Sequence, residues 1–558
     1  MTVSPASPNR AARRSLARRG GAVGAGGVLV AGSAAALLTA FAGQAGAAST
    51  ITVDSSGDGT ATAARCTDGT AGNCTLRDAA AAAVDGDTIT FNAAISTITL
   101  TNGGIALGAV NITGPGSASL AITTTAVAGS YNLFEFSGTG DVTVSGLSIT
   151  KNRIKALHVG KFTLNDVSIS DSQAAYGGAL YAYNAGDLVI SSSRFDNNES
   201  GDGSKGGAIY AINGGDVTIT DTEIVNNNAQ ANGQGGGVWV DTGTAFTFTL
   251  TDSVVSGNTA GIGGGIGMLS AVSVTIADSV ISSNTAATGG GASVVGTGGQ
   301  VSIDRTTIDD NSATTSSGGM FVQNIALEMT DSTISNNQSS GSVGGVKIVN
   351  SSQVVVNNST VSGNGAVNLC GGFYFDGTTN ITFNQSTISA NTAAYAGGMG
   401  LNASSPVTLE LSGSILSGNS GVAGFEDVVT ADSVTLNSEN SIVGNDFGVT
   451  VIDQGGTIFS TTPGLLALAD NGGPTMTMEL DPTSAAIDAG PNPVATFTGN
   501  GFDQRGTPYV RVFNGTVDIG AFEVQATPVP TSSTTSTTAP STTSTTTKED
   551  VMVPAFTG

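Results

Sequence analysis

Apolar residues alternate with polar ones in short runs such as Leu188 to Ile190 and Val272 to Ile276, the period of two that marks strands. The runs are themselves repeated. An apolar residue followed three positions later by Asn recurs from residue 149 to 445. The apolar members are Ile149, Ile169, Phe195, Ile224, Val255, Ile281, Ile308, Ile334, Val361, Ile388, Leu416 and Ile442. The Asn members are Asn152, Asn198, Asn227, Asn258, Asn284, Asn311, Asn337, Asn364, Asn391, Asn419 and Asn445, with Ser172 in the single gap. The repeat averages roughly 27 residues, and a Gly pair before an apolar residue follows the Asn, as at Gly206-Gly207-Ala208 and Gly264-Gly265-Ile266.

Such a period, with short strands and Gly or Asn at the corners, predicts an all-β right-handed parallel β-helix, one coil per repeat. Strands stacked at about 4.8 Å place the apolar column inside as a ladder. The Asn column is expected where the chain turns, because Asn tolerates left-handed backbone angles, and stacked amides can hydrogen-bond along the rod. A β-propeller fits badly, since its blades run to about 40 residues or more.

The ends differ from the repeats. Arg13, Arg14, Arg18 and Arg19 precede a Gly/Ala/Leu/Val-rich stretch and Ala45-Gly46-Ala47, the pattern of a signal peptide over residues 1–47. Residues 48–110 read as an N-terminal cap with the first coils, "DTITF", "STITL" and "VNITGPG". Thr75 followed by Leu76-Arg77-Asp78 and the alanines Ala79 to Ala83 predicts a capped helix that covers the open end. Residues 111–460 hold the repeats, residues 461–525 a C-terminal capping module, and residues 526–558 a Ser/Thr/Pro-rich tail too polar to fold.

Composition narrows the partners. Acids outnumber bases 42 to 18, a net charge of −24, which excludes nucleic acid and anionic lipid surfaces. No membrane insertion is expected once the leader is removed. Cys66 and Cys74, eight positions apart in an exported chain, read as a disulfide, with metal ligation as the rival. Cys370 reads as a small buried hydrophobe rather than a catalytic thiol, because the only His, His158, is far away in sequence.

Two signatures resemble known families. "CTLRDAAAAA" from Cys74, with "DGT" and Cys66 upstream, resembles the CSLREA motif of secreted β-helix proteins. "DNGGPTMTMELDPTSAAIDAG" from Asp470, with "DQRGTPYVR" from Asp503 and "VDIGAFE" from Val517, resembles the choice-of-anchor Q domain. The coils are similar to polymorphic outer-membrane protein repeats, best at Gly206 to Ile209 and Phe195 to Asn198. These resemblances imply a secreted or cell-surface β-helix and no particular reaction.

Candidate chemistry is sparse. Asp309-Asp310 is an adjacent acid pair, with Asp304 and Arg305 on the same coil, and hydrolysis of a glycosidic bond needs two carboxylates. Arg153-Ile154-Lys155 resembles a polygalacturonase substrate-binding motif, though the rest of that pattern is missing. If the chain is an enzyme, the catalytic candidates are Asp304, Asp309, Asp310 and Arg153. Asp166, Asp221, Asp252, Asp278 and Asp331 stand six positions before the Asn column. Asp221, Asp252 and Asp278, on consecutive coils, are the candidate Ca²⁺ ligands, against a bland reading as solvated turn acids. No other cofactor is expected. Lys151, Arg153, Lys155, His158 and Lys161 form a basic island on an acidic chain, with Tyr176, Tyr181 and Tyr183 nearby. That island is the candidate grip for an acidic polysaccharide, against a solvated coil balanced by Asp166 and Asp171. The leading expectation is a non-enzymatic surface stalk or adhesin, meeting an extracellular polysaccharide or another cell-surface protein. The alternative is a polysaccharide lyase or glycoside hydrolase with a groove along the rod.

Overall fold

The computed structural model describes residues 48–125, 132–402 and 406–525. The expected signal peptide and the Ser/Thr-rich tail lie outside these residues. The described chain is a parallel β-solenoid of about 13 coils, and 38 strands join one continuous sheet. Each regular coil lays down three strands on three faces. Leu180–Tyr183 begins a coil on face A, Leu188–Ser191 follows on face B and Arg194–Asp196 on face C. The next coil repeats this with Ile209–Ile212, Val217–Thr220 and Glu223–Val225, each in register above its predecessor.

The period-two pattern buries alternate side chains, as in Leu188 and Ile190. The predicted apolar column stacks on face C as Ile169, Phe195, Ile224, Val255, Ile281 and Ile308. It continues through Ile334, Val361, Ile388 and Leu416, and every member is fully buried. Each such side chain stabilises the rod by about 1.5–3 kcal/mol.

The Asn column is an internal hydrogen-bonded ladder. Asn311 is typical: its Oδ1 accepts from the backbone N and Nδ2 of Asn284, both at 3.0 Å. Its own Nδ2 donates to the Ile281 carbonyl and to Asn337 Oδ1, both at 2.9 Å. The Asn residues do not themselves take the left-handed turn that was expected of them. That angle falls one position earlier, at Asn197, Asn226, Ser283, Asp310 and Asn336, and again at Asp221, Asp252, Asp278 and Asp331. The ladder ends one unit earlier than the repeat suggests. Asn419 donates to Asp427 Oδ1, whose other oxygen accepts from the Asn445 backbone. Leu416 pairs with Val443, so Ile442 sits one step out of the column.

The helix, Leu76–Ala82, forms with the expected cap: Thr75 accepts from the Asp78 backbone, and the Asp78 side chain accepts from that of Thr75. Leu76 and Ala79 are buried against the first coil. One strand was not anticipated. Thr50–Val53 pairs with Thr88–Phe91, so the rod starts before the helix, which is inserted between two strands of the cap. Cys66 and Cys74 are joined in a disulfide beside it.

The C-terminal module runs along the flank over face C. Outward residues of that face are exposed at Arg194, Glu223, Val254 and Val280 but buried at Thr333, Thr360, Thr387 and Ile415. Gln504 spans two coils, its amide donating to Thr333 Oγ1 at 2.8 Å while its carbonyl accepts from Thr360 Oγ1 at 2.6 Å. The backbone N of Ala521 donates to Thr387 Oγ1 at 3.1 Å. The charged motif residues are structural. Arg505 lies between the Tyr509 and Phe522 rings, 3.8 and 3.7 Å away, and forks onto Asp503.

Candidate functional site

On face A, the register stacks position two of each strand, Lys155, Tyr181, Tyr210 and Trp239, on four consecutive coils; Lys155 and Tyr181 are partly exposed, and Tyr210 and Trp239 are buried. Neighbouring rings follow one another: Tyr176 to Tyr181 at 6.2 Å, Tyr181 to Tyr210 at 5.5 Å and Tyr181 to Tyr183 at 6.1 Å. Trp239 lies flat because the next coil offers Gly267 beneath it; a Cβ there would sit 2.5 Å from two ring carbons. The strip is edged by cations. The Arg153 guanidinium is 5.5 Å from the Tyr181 ring centre, and Lys205 Nζ is 5.8 and 5.4 Å from those of Tyr210 and Trp239. Burial raises the Tyr181 and Tyr210 hydroxyls above their usual range, so both keep their proton as hydrogen-bond donors at neutral pH.

Of the predicted basic island, Arg153, Lys155 and Tyr181 come together here. His158 stands at the bend that ends the strand, edge-on to Tyr183 at 5.5 Å and near Asn184. Lys151 takes a left-handed bend at a different corner of the coil, between faces C and A, and Lys161 opens the face B strand. Neither belongs to the strip, because the island's sequence crosses two corners. Lys205, Tyr210 and Trp239 were missed. Their signal was present as a constant spacing of one coil, Tyr181 to Tyr210 to Trp239, which only the repeat register reveals.

The predicted acids fall into two separate clefts at opposite ends of a short face C strand, Thr307–Asp309. One cleft, of about 460 Å³, is lined by Asp309 and Asp310 and by Asp470 to Met476 of the C-terminal module. Asp309 accepts from Ser335 Oγ and from Asn336 Nδ2. Burial, then the Asp309 charge, raises the Asp310 carboxyl. The second cleft, of about 340 Å³, holds Asp304, Arg305, Glu328 and Asp331 beneath Thr498 and Gly499. There burial, partly opposed by Asn358 and reinforced by Asp304, pushes Asp331 up to about 7. Burial also raises Asp304, against the pull of Arg305. Arg153 is five coils from this pair and on another face, so it shares no site with it.

Asp221, Asp252 and Asp278 each occupy a left-handed bend, with φ of 49°, 50° and 50°. Asp278 is neutralised by Arg305, whose Nε and Nη2 donate to its two oxygens at 2.7 Å. Asp221 accepts from Ser192 Oγ at 2.9 Å. Among the described residues no three His, Cys, Asp or Glu side chains converge as metal ligands. Cys370 is buried, and burial alone drives its thiol up, away from the thiolate that nucleophilic chemistry needs.

A family model described as a right handed beta helix region matches residues 264–461. No curated protein matches the sequence. Among solved structures, the chain is similar to the A-module of mannuronan C-5 epimerase AlgE4 from Azotobacter vinelandii. The identity is 17%, the match covers 55% of this chain and 87% of that one, and the TM-score is 0.38. It is also similar to pectate lyase Pel9A, at 12% identity, 86% and 96% coverage and a TM-score of 0.28. The catalytic domain of a GH87 α-1,3-glucanase matches at 13% identity and a TM-score of 0.35; 66% of this chain covers 64% of that one. These likenesses concern the β-helical fold and transfer no residue roles.

Proposed function

We propose that this chain is an extracellular β-helical protein that holds a polysaccharide at the Tyr176–Tyr181–Tyr183 cluster of face A. The observation that carries the reading is the cluster of accessible rings, Tyr176, Tyr181 and Tyr183, backed by the buried Tyr210 and edged by Arg153 and Lys155. Sugar rings present apolar C–H faces that pack on aromatic planes, and their hydroxyls use flanking polar groups. The Cys66–Cys74 disulfide supports an oxidising, extracellular setting. The protein acts as a rigid surface element whose flank binds a glycan.

The test is co-elution of the full chain with a panel of neutral and acidic polysaccharides, with and without Ca²⁺. Tyr181→Ala is expected to weaken binding at least tenfold; unchanged binding, or none to any polymer, removes the reading. A second reading, hydrolysis in the Asp304–Asp331 cleft, is favoured by an acid held near neutrality beside another carboxylate. Shortened polymer chains, lost on Asp331→Asn, would establish it, and an unaltered size distribution would end it.

A further inference from the structure

Arg153 differs from most of the basic residues around it. Lys155 has Glu135 at 3.5 Å, Lys205 has Asp241 at 3.3 Å, and Arg194 is paired with Asp196 and Glu223. The Arg153 guanidinium is half-buried, and its partners are neutral. Its Nε donates to Asn132 Oδ1 at 2.7 Å, and Nη1 donates to the Tyr176 carbonyl. No carboxylate among the described residues lies within ion-pair distance of it. Glu135, the acid whose charge it feels, is held instead by Lys155 and by Asn132 Nδ2 at 2.7 Å.

A guanidinium carries five N–H donors. Two are used here, and the remaining three stand beside the Tyr181 ring. A half-buried cation with spare donors and no counter-ion carries a desolvation cost that an incoming anion relieves. The planar fork suits a carboxylate, which it holds through two parallel hydrogen bonds. Asn132 and Tyr176 fix the fork from behind, so little side-chain freedom is lost on binding.

We propose that the strip takes an anionic saccharide, a uronate polymer, and that Arg153 receives the sugar carboxylate while Tyr181 supports the ring. This inference rests on the saccharide reading above and adds the chemical class. On a chain with a net charge of −24, long-range attraction cannot gather a polyanion, so recognition depends on this fixed local fork.

The experiment is calorimetric titration of the full chain with oligogalacturonate and oligoguluronate, each beside its carboxyl-reduced neutral counterpart. At least one uronate is expected to bind ten times or more tighter than its reduced form. Arg153→Met is expected to bring the ratio of uronate to reduced-oligomer affinity close to one. Arg153→Lys, which keeps the charge without the fork, recovers only part of it. Tyr181→Ala weakens both forms. Equal affinity of uronate and reduced oligomer for the unaltered chain overturns the proposal while sparing the saccharide reading. Absence of binding by every oligomer overturns both. Loss of both forms alike in Arg153→Met overturns the carboxylate role. The comparison on the unaltered chain decides the class even where a variant folds poorly.

Discussion

Replacing Asn311 with Ala removes one rung from the middle of the amide ladder. Four hydrogen bonds disappear, two accepted from Asn284 and two donated to Ile281 and Asn337, all in a fully buried setting. The Asn284 backbone N–H is left without an acceptor, and the Ile281 carbonyl and Asn337 amide each lose a partner. An unsatisfied buried group costs about 1–3 kcal/mol, and the vacated volume adds a cavity term. We expect a loss of about 3–5 kcal/mol. The measurement is equilibrium urea unfolding followed by far-ultraviolet circular dichroism. Because each coil leans on its neighbours, faster amide hydrogen exchange is expected in adjoining coils. The control is Asn232→Ala, whose bonds to Asp202 are on the surface; it should cost under about 1 kcal/mol. A loss below about 1 kcal/mol for Asn311→Ala would refute the view that the ladder holds the coils together.

Asp331 makes stability depend on pH. Its folded-state pKa of about 7 exceeds the unfolded value of 3.8, so the folded chain binds the extra proton. That contribution is complete below pH 3.8, declines as pH rises and is gone above about 7. Glu523, pushed up to about 8 by burial, acts in the same sense. Allowing for water in the cleft, Asp331 accounts for about 2 kcal/mol between pH 4 and 7.5. Asp331→Asn, which suits the left-handed bend as Asn358 does in the same column, should flatten that part of the pH–stability curve. An unaltered curve would contradict the assignment. Gly267→Ala should displace the single tryptophan, Trp239, through the 2.5 Å contact, at about 1–3 kcal/mol. Its fluorescence maximum should shift; an unchanged spectrum would show that the buried ring does not need the glycine.

Much of the fold was legible because a solenoid is local and periodic. Ile224, Val255 and Ile281 announce an inner column by spacing alone, and Thr75 with Asp78 announces a capped helix. The end of the ladder was less legible. Asn445 satisfies the motif, yet Asp427 takes the rung, because Ile442 pairs with Ile415 rather than Leu416, which puts Asn445 one position out of register, and the Asp427 carboxylate accepts from both neighbours. Half of the aromatic strip was visible as Tyr176, Tyr181 and Tyr183 beside Arg153. Tyr210 and Trp239 lay in other repeats, and Lys151 seemed closer to Arg153 than the bend between them allows.

The sequence by itself determined the coil and its inner ladders, which depend on contacts between equivalent positions of adjacent repeats, and the disulfide and the capped helix, which join residues eight and three positions apart. Tertiary structure alone decided where the C-terminal module lies. Its motif residues reach face C through Gln504 and Thr333, which are 171 positions apart, and no periodicity encodes that contact. The same docking separates Asp309 and Asp310 from Asp304 and buries Asp331, so the acid clefts exist only once the flank is covered. The cationic strip on face A likewise depends on register, which aligns side chains a full coil apart and leaves Arg153 without a carboxylate.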